Sequence, residues 1–221
     1  MPRNSDSKYI FVDRKDAARQ LIEAIPVEHF RQRDVTVLAI SEGGVIVADV
    51  VAQALGAPMN ILLSAPIPAP KNPELPIAMV SETKAMVMHR ALVDAFGIDD
   101  DYVYSEGERR YEDNVLDKVY RYRQGTPIPS MKNRVVLLVD DCVETGITTL
   151  VAIKSMIEQG AKNVYLAVPI LDAEVQDNLT PVCDGVYCPH TIRDYVSIEY
   201  YYKEVEPPTE ETIERIMKTY E

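Results

Sequence analysis

Cysteine and long apolar segments are both scarce in this sequence. Its 221 residues include three cysteines, Cys142, Cys183 and Cys188. They do not suggest a disulfide framework, and we expect reduced, half-buried thiols. Cys183 and Cys188 lie close to His190, but their spacing matches no common zinc signature. No apolar run approaches the roughly 18 residues of a membrane span, and residues 1–11 contain no apolar signal segment. These absences predict a soluble, cytoplasmic protein.

Basic residues are also few relative to acidic residues. The chain has 23 lysines and arginines against 35 aspartates and glutamates, and its net charge is −12. Because nucleic acids and anionic membranes attract basic surfaces, this balance argues against general binding to either. No GxGxxG sequence follows a predicted strand, which disfavours a dinucleotide-binding domain.

Apolar runs and periodic segments alternate along the chain, which predicts a doubly wound α/β fold with a mostly parallel sheet. Two β-α-β units carry this prediction. The first comprises a strand at 35–40, a helix at 45–55 and a strand at 60–63, and the second a strand at 135–139, a helix at 148–159 and a strand at 164–168. If strands 35–40 and 135–139 are neighbours, the loops that follow them face each other across one cleft.

The remaining segments are predicted from composition and spacing. Residues 66–76 contain five prolines and should be irregular, with short strands at 77–80 and 85–88. Residues 101–124 are strongly charged and predict one long helix, which Glu106 and Arg110 support at helical spacing. Further helices are predicted at 13–25, 172–179 and 209–218.

The most informative stretch is residues 135–149, VVLLVDDCVETGITT. A buried strand here delivers Asp140 and Asp141 at its carboxyl end, where ligands bind in open α/β sheets. The following Thr-Gly-Ile-Thr-Thr forms a tight turn of backbone N–H groups and hydroxyls at a helix start, which suits a phosphate. Carboxylates that accept sugar hydroxyls next to a phosphate turn indicate a ribose-5-phosphate site.

This stretch closely resembles the phosphoribosyl-diphosphate (PRPP) motif of type I phosphoribosyltransferases. Segments 11–17, 43–44, 54–58 and 69–75 are similar, in matching order, to a group of stand-alone bacterial and archaeal predicted phosphoribosyltransferases. The resemblance covers most of the chain. It implies one domain over residues 1–221 with the type I phosphoribosyltransferase fold, and a small tail or hood region at roughly 170–221.

The resemblance also implies the roles of individual residues. Asp140 and Asp141 would bind the ribose 2- and 3-hydroxyls of PRPP, and Mg²⁺ would be held mainly by PRPP itself. The residues implied to wrap the 5-phosphate are Thr145, Gly146, Ile147, Thr148 and Thr149. The pyrophosphate loop would consist of Ser41, Glu42, Gly43 and Gly44, whose glycines let the backbone approach the diphosphate.

Two further groups of residues have open interpretations. Glu144 stands where hypoxanthine-guanine enzymes place an aspartate that can accept the proton of the attacking ring nitrogen; it is equally explained as a solvent-facing residue at a helix start. Tyr200 and Tyr201 could stack on a base or pack at the sheet edge. Residues 71–74 and four arginines are candidates for mobile lid elements: Arg109, Arg110, Arg121 and Arg123. The alternative interpretation is that they belong to a solvated surface.

Glu42 departs from the family, whose members usually carry Arg or Lys at this loop position. A carboxylate about 4 Å from a phosphate oxygen costs roughly 4 kcal/mol at an effective dielectric near 20. Three arrangements would avoid this cost: Glu42 points away, pairs with a Lys or Arg, or ligates magnesium. Two milder departures from the family are Cys142 and Ile147. The bulk of Ile147 is expected to crowd the phosphate turn.

The function that the resemblance implies is that of a pentosyltransferase. It would move the 5-phosphoribosyl group between PRPP and a nitrogenous base, releasing diphosphate, with a purine favoured if Glu144 is the base. The implied partners are PRPP, a small-molecule base or nucleotide, and a second copy in a homodimer. The alternative, motivated by Glu42, is a catalytically impaired sensor or regulator that binds a nucleotide or ribose phosphate. A phosphoacceptor receiver domain fits poorly, since it has no use for Thr-Gly-Ile-Thr-Thr.

Overall fold

Strands and helices alternate over residues 9–220, the part of the chain that the computed structural model describes. The strands are β1 (Val35–Ala39), β2 (Met59–Ile61), β3 (Ser64–Ala69), β4 (Asn72–Ser81), β5 (Met86–Met88), β6 (Val135–Val139), β7 (Asn163–Ala167), β8 (Ile170–Asp172), β9 (Gly185–Tyr187) and β10 (His190–Ile192). The α-helices are α1 (Arg14–Ala24), α2 (Val27–Arg31), α3 (Gly44–Leu55), α4 (Arg90–Ala95), α5 (Asp100–Arg110), α6 (Leu116–Arg123), α7 (Ile147–Glu158), α8 (Ala173–Leu179) and α9 (Glu210–Met217).

The central sheet has five parallel strands in the order β2-β1-β6-β7-β9. Every residue of β1 and β6 is buried, because helices cover both faces of the sheet. Val37 and Leu137 point into a core shared with α1 and α3, whereas Leu38 and Leu138 point into a second core shared with α7. The predicted doubly wound, mostly parallel sheet is therefore confirmed.

Most of the predicted helices begin and end within one residue of their observed bounds. Their termini carry side-chain caps: Asp13 accepts from the backbone N–H of Asp16, Asp172 from those of Glu174 and Val175, and Thr209 from that of Thr212. The short elements α2, α4, β8, β9 and β10 were not predicted, because segments of three to six residues show too little periodicity to be recognised.

The prediction that residues 66–76 are irregular is wrong. β3, β4 and β5 form a separate antiparallel sheet, and Pro66 and Pro68 lie within β3 opposite Met79 and Pro76. β3 is an edge strand, where a residue without an N–H is tolerated, and the pairing register shifts on both sides of Pro68. Pro76 precedes the part of β4 that pairs with β5, so the prolines avoid the doubly paired positions.

The predicted helix at 101–124 is confirmed in its extent, and it contains a feature that spacing did not indicate. α5 and α6 follow each other through a π-helical turn at Tyr111–Val115. Arg110 Nε lies 2.8 Å from Glu106 Oε1, as the helical spacing predicted. α5 and the π-helical turn pack on β3 and β4, and α6 packs on α9.

The tail returns to the beginning of the chain. Phe11 and Tyr202 form a parallel β-bridge, and the backbone N–H groups of Ile10 and Phe11 both donate to the Tyr201 carbonyl, at 2.9 and 3.0 Å. Phe11, Tyr201 and Tyr202 form a small core with Ala17 and Ile170. The predicted absence of a signal segment concerns residues 1–11, of which 1–8 lie outside the described residues. Within residues 9–220 no helix is long and apolar enough to span a membrane.

Candidate functional site

Two loops meet at the carboxyl edge of the central sheet. β1 and β6 are parallel neighbours, with Ala39 opposite Val139, so the loops that follow them leave the sheet side by side. The Ser41 hydroxyl donates a hydrogen bond to Asp140 Oδ1 and accepts one from the backbone N–H of Gly44 at 2.9 Å. The pyrophosphate loop, residues 41–44, and the acidic pair are therefore neighbours in direct contact.

Asp140 and Asp141 are buried rather than solvated, with 5% and 6% of their surfaces exposed. Asp140 Oδ1 accepts a hydrogen bond from the backbone N–H of Asp141 at 2.9 Å. Burial and the neighbouring Asp141 carboxylate raise the pKa of Asp140 well above its usual range, against the lowering effect of the Ser41 hydrogen bond. Removing two carboxylates from water costs solvation free energy. Their burial therefore indicates a binding site for hydroxyls or a cation rather than a surface helix cap.

Arg14 completes this cluster, and sequence reasoning missed its role. Its Nε donates to Asp141 Oδ2 at 2.7 Å, and its Nη1 donates to the backbone carbonyl of Glu206 at 2.7 Å. The Tyr202 hydroxyl donates to the Asp141 carbonyl, also at 2.7 Å. A signal was available, because Arg14 lies at helical spacing from the buried Ala18 and Leu21 and so stands on the apolar face of α1.

The glycines of the pyrophosphate loop allow the two loops to touch. A Cβ atom added at Gly43 would overlap Asp141 Oδ2 and lie 2.9 Å from its Cγ. A Cβ atom at Gly44 would lie 2.8 Å from Asp140 Oδ1 and 3.0 Å from the backbone of Asp140 and Val139. The observed contacts leave no room for a side chain at either position: side-chain atoms fill the space beside Gly43, and backbone atoms of Val139 and Asp140 help to fill the space beside Gly44.

The predicted phosphate turn lies at the N-terminus of α7. Gly146 caps the helix with φ +75°, a left-handed conformation that favours glycine, and the Leu150 N–H donates to its carbonyl at 2.8 Å. The backbone N–H groups in the first turn of a helix have no intrahelical acceptor and can bind an anion. The expected crowding by Ile147 is absent, because its side chain is buried against Met79, Ala85 and Val151.

Glu42 adopts the second of the three arrangements considered above. Its Oε1 lies 3.0 Å from Lys118 Nζ on α6 and accepts a hydrogen bond from the Tyr122 hydroxyl at 3.3 Å. Burial, followed by the Glu42 carboxylate, raises the pKa of Tyr122 to about 12. The loop carboxylate is therefore neutralised by a lysine that approaches from a distant part of the sequence.

This pairing makes Lys118 a determinant of PRPP affinity. In Lys118→Met, the charge of Glu42 should repel the diphosphate, and we expect PRPP–magnesium to bind about tenfold more weakly. The double variant Glu42→Gln/Lys118→Met should recover this loss. Isothermal titration measures the affinities of both variants. The matched control is Lys84→Met, which breaks a surface pair between Lys84 and Glu108 with the same distance of 3.0 Å. An unchanged affinity in Lys118→Met would show that Glu42 does not face the diphosphate.

The remaining predicted site residues lie in contrasting surroundings. Glu144 and Thr145 are exposed, whereas Thr149 is buried. Tyr200 is 54% exposed, and Tyr201 is buried with its ring 5.1 Å from that of Tyr195. Neither arrangement tests whether Glu144 accepts a proton or a tyrosine stacks on a base, so both roles stay predictions.

The candidate lid residues also differ in their surroundings. Residues 71–74 are exposed around the turn between β3 and β4. Arg123 is buried and paired with Glu82, with only 6% and 4% of the two side chains exposed. The other three arginines form intrahelical pairs on the α5–α6 segment, Arg109 and Arg110 with Glu106 and Arg121 with Asp117. Arg123 is thus held in the core, while the turn at 71–74 is free of the core.

The described residues contain no group of three or more His, Cys, Asp or Glu that could hold a metal ion. Mg²⁺ commonly binds through one or two carboxylates together with substrate phosphates, and does not need a full protein cage. Asp140 and Asp141 supply such carboxylates, so the donors present fit a magnesium ion that arrives with a phosphorylated substrate. Cys183, Cys188 and His190 do not form such a group.

Comparison with known proteins names the family. The family model of the phosphoribosyl transferase domain matches residues 10–179. The chain belongs to the phosphoribosyl transferase family. The matched region includes Arg14, the pyrophosphate loop, the acidic pair and the phosphate turn.

Individual relatives agree with this membership. The chain is 30% identical over 179 residues to a predicted phosphoribosyl transferase of Mycobacterium tuberculosis, found in two strains, and the match covers 81% of this chain. The chain spans 40% of the length of these curated relatives. Among solved structures, the protein TT1426 of Thermus thermophilus has a TM-score of 0.79 and 30% identity, over 95% of this chain and 98% of that one.

Proposed function

We propose that this phosphoribosyl transferase domain moves the 5-phosphoribosyl group between PRPP and a nitrogenous base, with release of diphosphate. The observation that supports this most is the contact between the pyrophosphate loop and the buried acidic pair, with the N-terminus of α7 beside them. Together these elements offer acceptors for ribose hydroxyls, N–H donors for a 5-phosphate and a close backbone approach for a diphosphate.

In this proposal each group acts on one part of PRPP. Asp140 and Asp141 accept hydrogen bonds from the ribose hydroxyls, while the turn at residues 145–149 holds the 5-phosphate. The bond between C1 and the diphosphate oxygen breaks as the bond between C1 and the base nitrogen forms. Magnesium, when bound, offsets the negative charge of the departing diphosphate. Glu144 takes the proton of the attacking nitrogen if the acceptor is a purine.

The acceptor and the assembly are finer parts of the same proposal. We favour a purine because Glu144 stands at the position of the purine enzymes' aspartate, and we propose a homodimer by analogy with the type I enzymes. Neither nucleic acid nor a membrane surface is a proposed partner, because the net charge is −12. The lid role of residues 71–74 likewise stays a prediction.

A second candidate function is a sensor that binds PRPP or a nucleotide without turnover. It is favoured by Glu42, which places a carboxylate in the pyrophosphate loop, and by the Lys118 and Tyr122 contacts that tether this loop to α6. In this interpretation the loop would hold its ligand but would not drive diphosphate departure.

Isothermal titration with PRPP and magnesium, followed by a diphosphate-release assay over a panel of purine and pyrimidine bases, tests both candidates. Binding with base-dependent release is the expected result and would identify the acceptor. Binding with no release from any base would favour the sensor. Absence of binding would overturn both, since each requires an intact ribose-phosphate site.

A further inference from the structure

We propose that Arg14 binds the diphosphate of PRPP and supplies the positive charge that the pyrophosphate loop itself lacks. This inference rests on the proposed function, because it assumes that the ligand of the loop is a diphosphate. It adds a binding residue outside both sequence motifs, on the first turn of α1 and far from them in the chain.

The geometry of the guanidinium group points to this role. Nε is committed to Asp141 and Nη1 to the Glu206 carbonyl, both at 2.7 Å. Nη2 makes no hydrogen bond to any of residues 9–220, and it lies 3.2 Å from the position that a Cβ atom of Gly43 would occupy. Two bonds thus fix the plane of the group, and its remaining nitrogen faces the middle of the pyrophosphate loop.

The space beside Arg14 can admit a ligand. Arg14 lines a cavity of about 890 Å³ between the N-terminal segment and the tail, and Ile46, in the first turn of the helix that follows the loop, lines it as well. Lys15 and Lys203 add positive charge to its wall; of its acidic residues, Asp13 lies beside Arg14, and Glu199, Glu204 and Glu206 lie on the tail. A ligand in this cavity would therefore contact both Arg14 and the first turn of α3, which follows the pyrophosphate loop directly.

Charge balance favours Arg14 over other cations. Lys118 is paired with Glu42, so it offsets one loop charge and leaves no excess. Arg14 is buried and held by two hydrogen bonds, so it needs no reorganisation to present its remaining N–H groups.

Calorimetry with two separate probes, magnesium diphosphate and ribose 5-phosphate, distinguishes these roles. In Arg14→Gln, we expect the affinity for magnesium diphosphate to fall at least about 30-fold, because a charge-assisted contact is lost. Ribose 5-phosphate should lose no more than about fivefold. Equal losses for both probes would show that Arg14 acts only through Asp141 and would overturn the assignment, as would an unchanged affinity for diphosphate.

Two further variants keep the test decisive. Arg14→Lys retains the charge beside Asp141 but not the planar fork, so it should fold even if Arg14→Gln does not, and should lose diphosphate affinity about tenfold with ribose 5-phosphate unchanged. Arg134→Gln is the matched control, since the Arg134 side chain donates a hydrogen bond to Thr36 at the opposite edge of the sheet.

The outcomes for the unmodified protein separate this inference from the proposed function. Diphosphate binding without base-dependent release would remove the proposed transferase activity and leave the Arg14 assignment standing. No diphosphate binding by the unmodified protein would overturn both.

Discussion

The double variant Asp140→Asn/Asp141→Asn should lose its affinity for PRPP and for ribose 5-phosphate by about 10²–10⁴-fold, the largest effect that we expect from side chains of the site. Both carboxylates are buried, and each charge-assisted hydrogen bond to a ribose hydroxyl contributes about 1.5–3 kcal/mol. Asparagine keeps the size of aspartate but removes the charge and leaves the buried Arg14 without its partner, so urea denaturation of the variant is needed to separate lost binding from lost stability. Isothermal titration with each ligand measures the loss of affinity.

Asp184→Asn is the matched control for this prediction. Asp184 accepts hydrogen bonds from the Asn163 side chain at 2.9 Å and from the Val164 N–H at 2.8 Å, at the opposite edge of the same sheet. Its replacement should leave ribose 5-phosphate affinity unchanged. If the double variant also bound ribose 5-phosphate with unchanged affinity, the acidic pair would not be the ribose site.

Alanine at the two loop glycines should have large and distinguishable effects. In Gly43→Ala, the new methyl group meets the Asp141 side chain and lies 3.2 Å from Arg14 Nη2. Those side chains can rotate away, so we expect the protein to fold and PRPP binding to fall by at least about 10²-fold, because the ion pair is displaced. Calorimetry with PRPP and magnesium is the measurement.

Gly44→Ala should instead destabilise the fold. Its methyl group would lie 3.0 Å from the Val139 carbonyl and from Asp140 Cα, which are backbone atoms of β6 and its extension. Moving a central strand costs more than rotating a side chain, and we expect a loss of about 1–3 kcal/mol in the free energy of unfolding. Urea denaturation of both variants compares them directly. Equal stabilities would show that the loop, not the strand, accommodates the methyl group.

These predictions converge on one arrangement of charge around the pyrophosphate loop. Asp140, Asp141 and Glu42 bring three carboxylates to a site for which we propose an anionic ligand. Lys118 offsets Glu42, and Arg14 pairs with Asp141. Both cations lie on helices outside the phosphate motifs. The net charge around the loop therefore cannot be predicted from the sequence of the loop alone.

The phosphate turn and the acidic pair could be predicted because their signals are local. A run of buried β-branched and leucine residues identifies β6, and the residues that follow it in sequence also follow it in space. Helix caps act over an equally short range, since the backbone partners of Asp13 and Asp172 are two to three residues away. Spacing alone therefore located the carboxylates and the helix N-terminus of the site.

Long-range pairing decided what local signals could not. Prolines at 66, 68 and 76 indicate irregular chain, yet β3 and β4 form, because β3 lies at a sheet edge where a missing N–H costs nothing. The arrangement of Phe11 beside Tyr202 depends equally on contacts between the two ends of the described chain. Composition does not reveal which strand is an edge, since that property belongs to the assembled sheet.

By itself, the sequence determined the α/β class, the order of its main elements and the strand end that carries Asp140 and Asp141, because hydrophobic periodicity and capping act over a few residues. Only the tertiary structure decided that Glu42 meets Lys118 and that Arg14 joins Asp141 beside Gly43. The physical reason is that charges far apart in the chain, by 127 positions in the case of Arg14 and Asp141, interact through space. Their distance is set by the packing of α1 and α6 around the sheet, which no local pattern encodes.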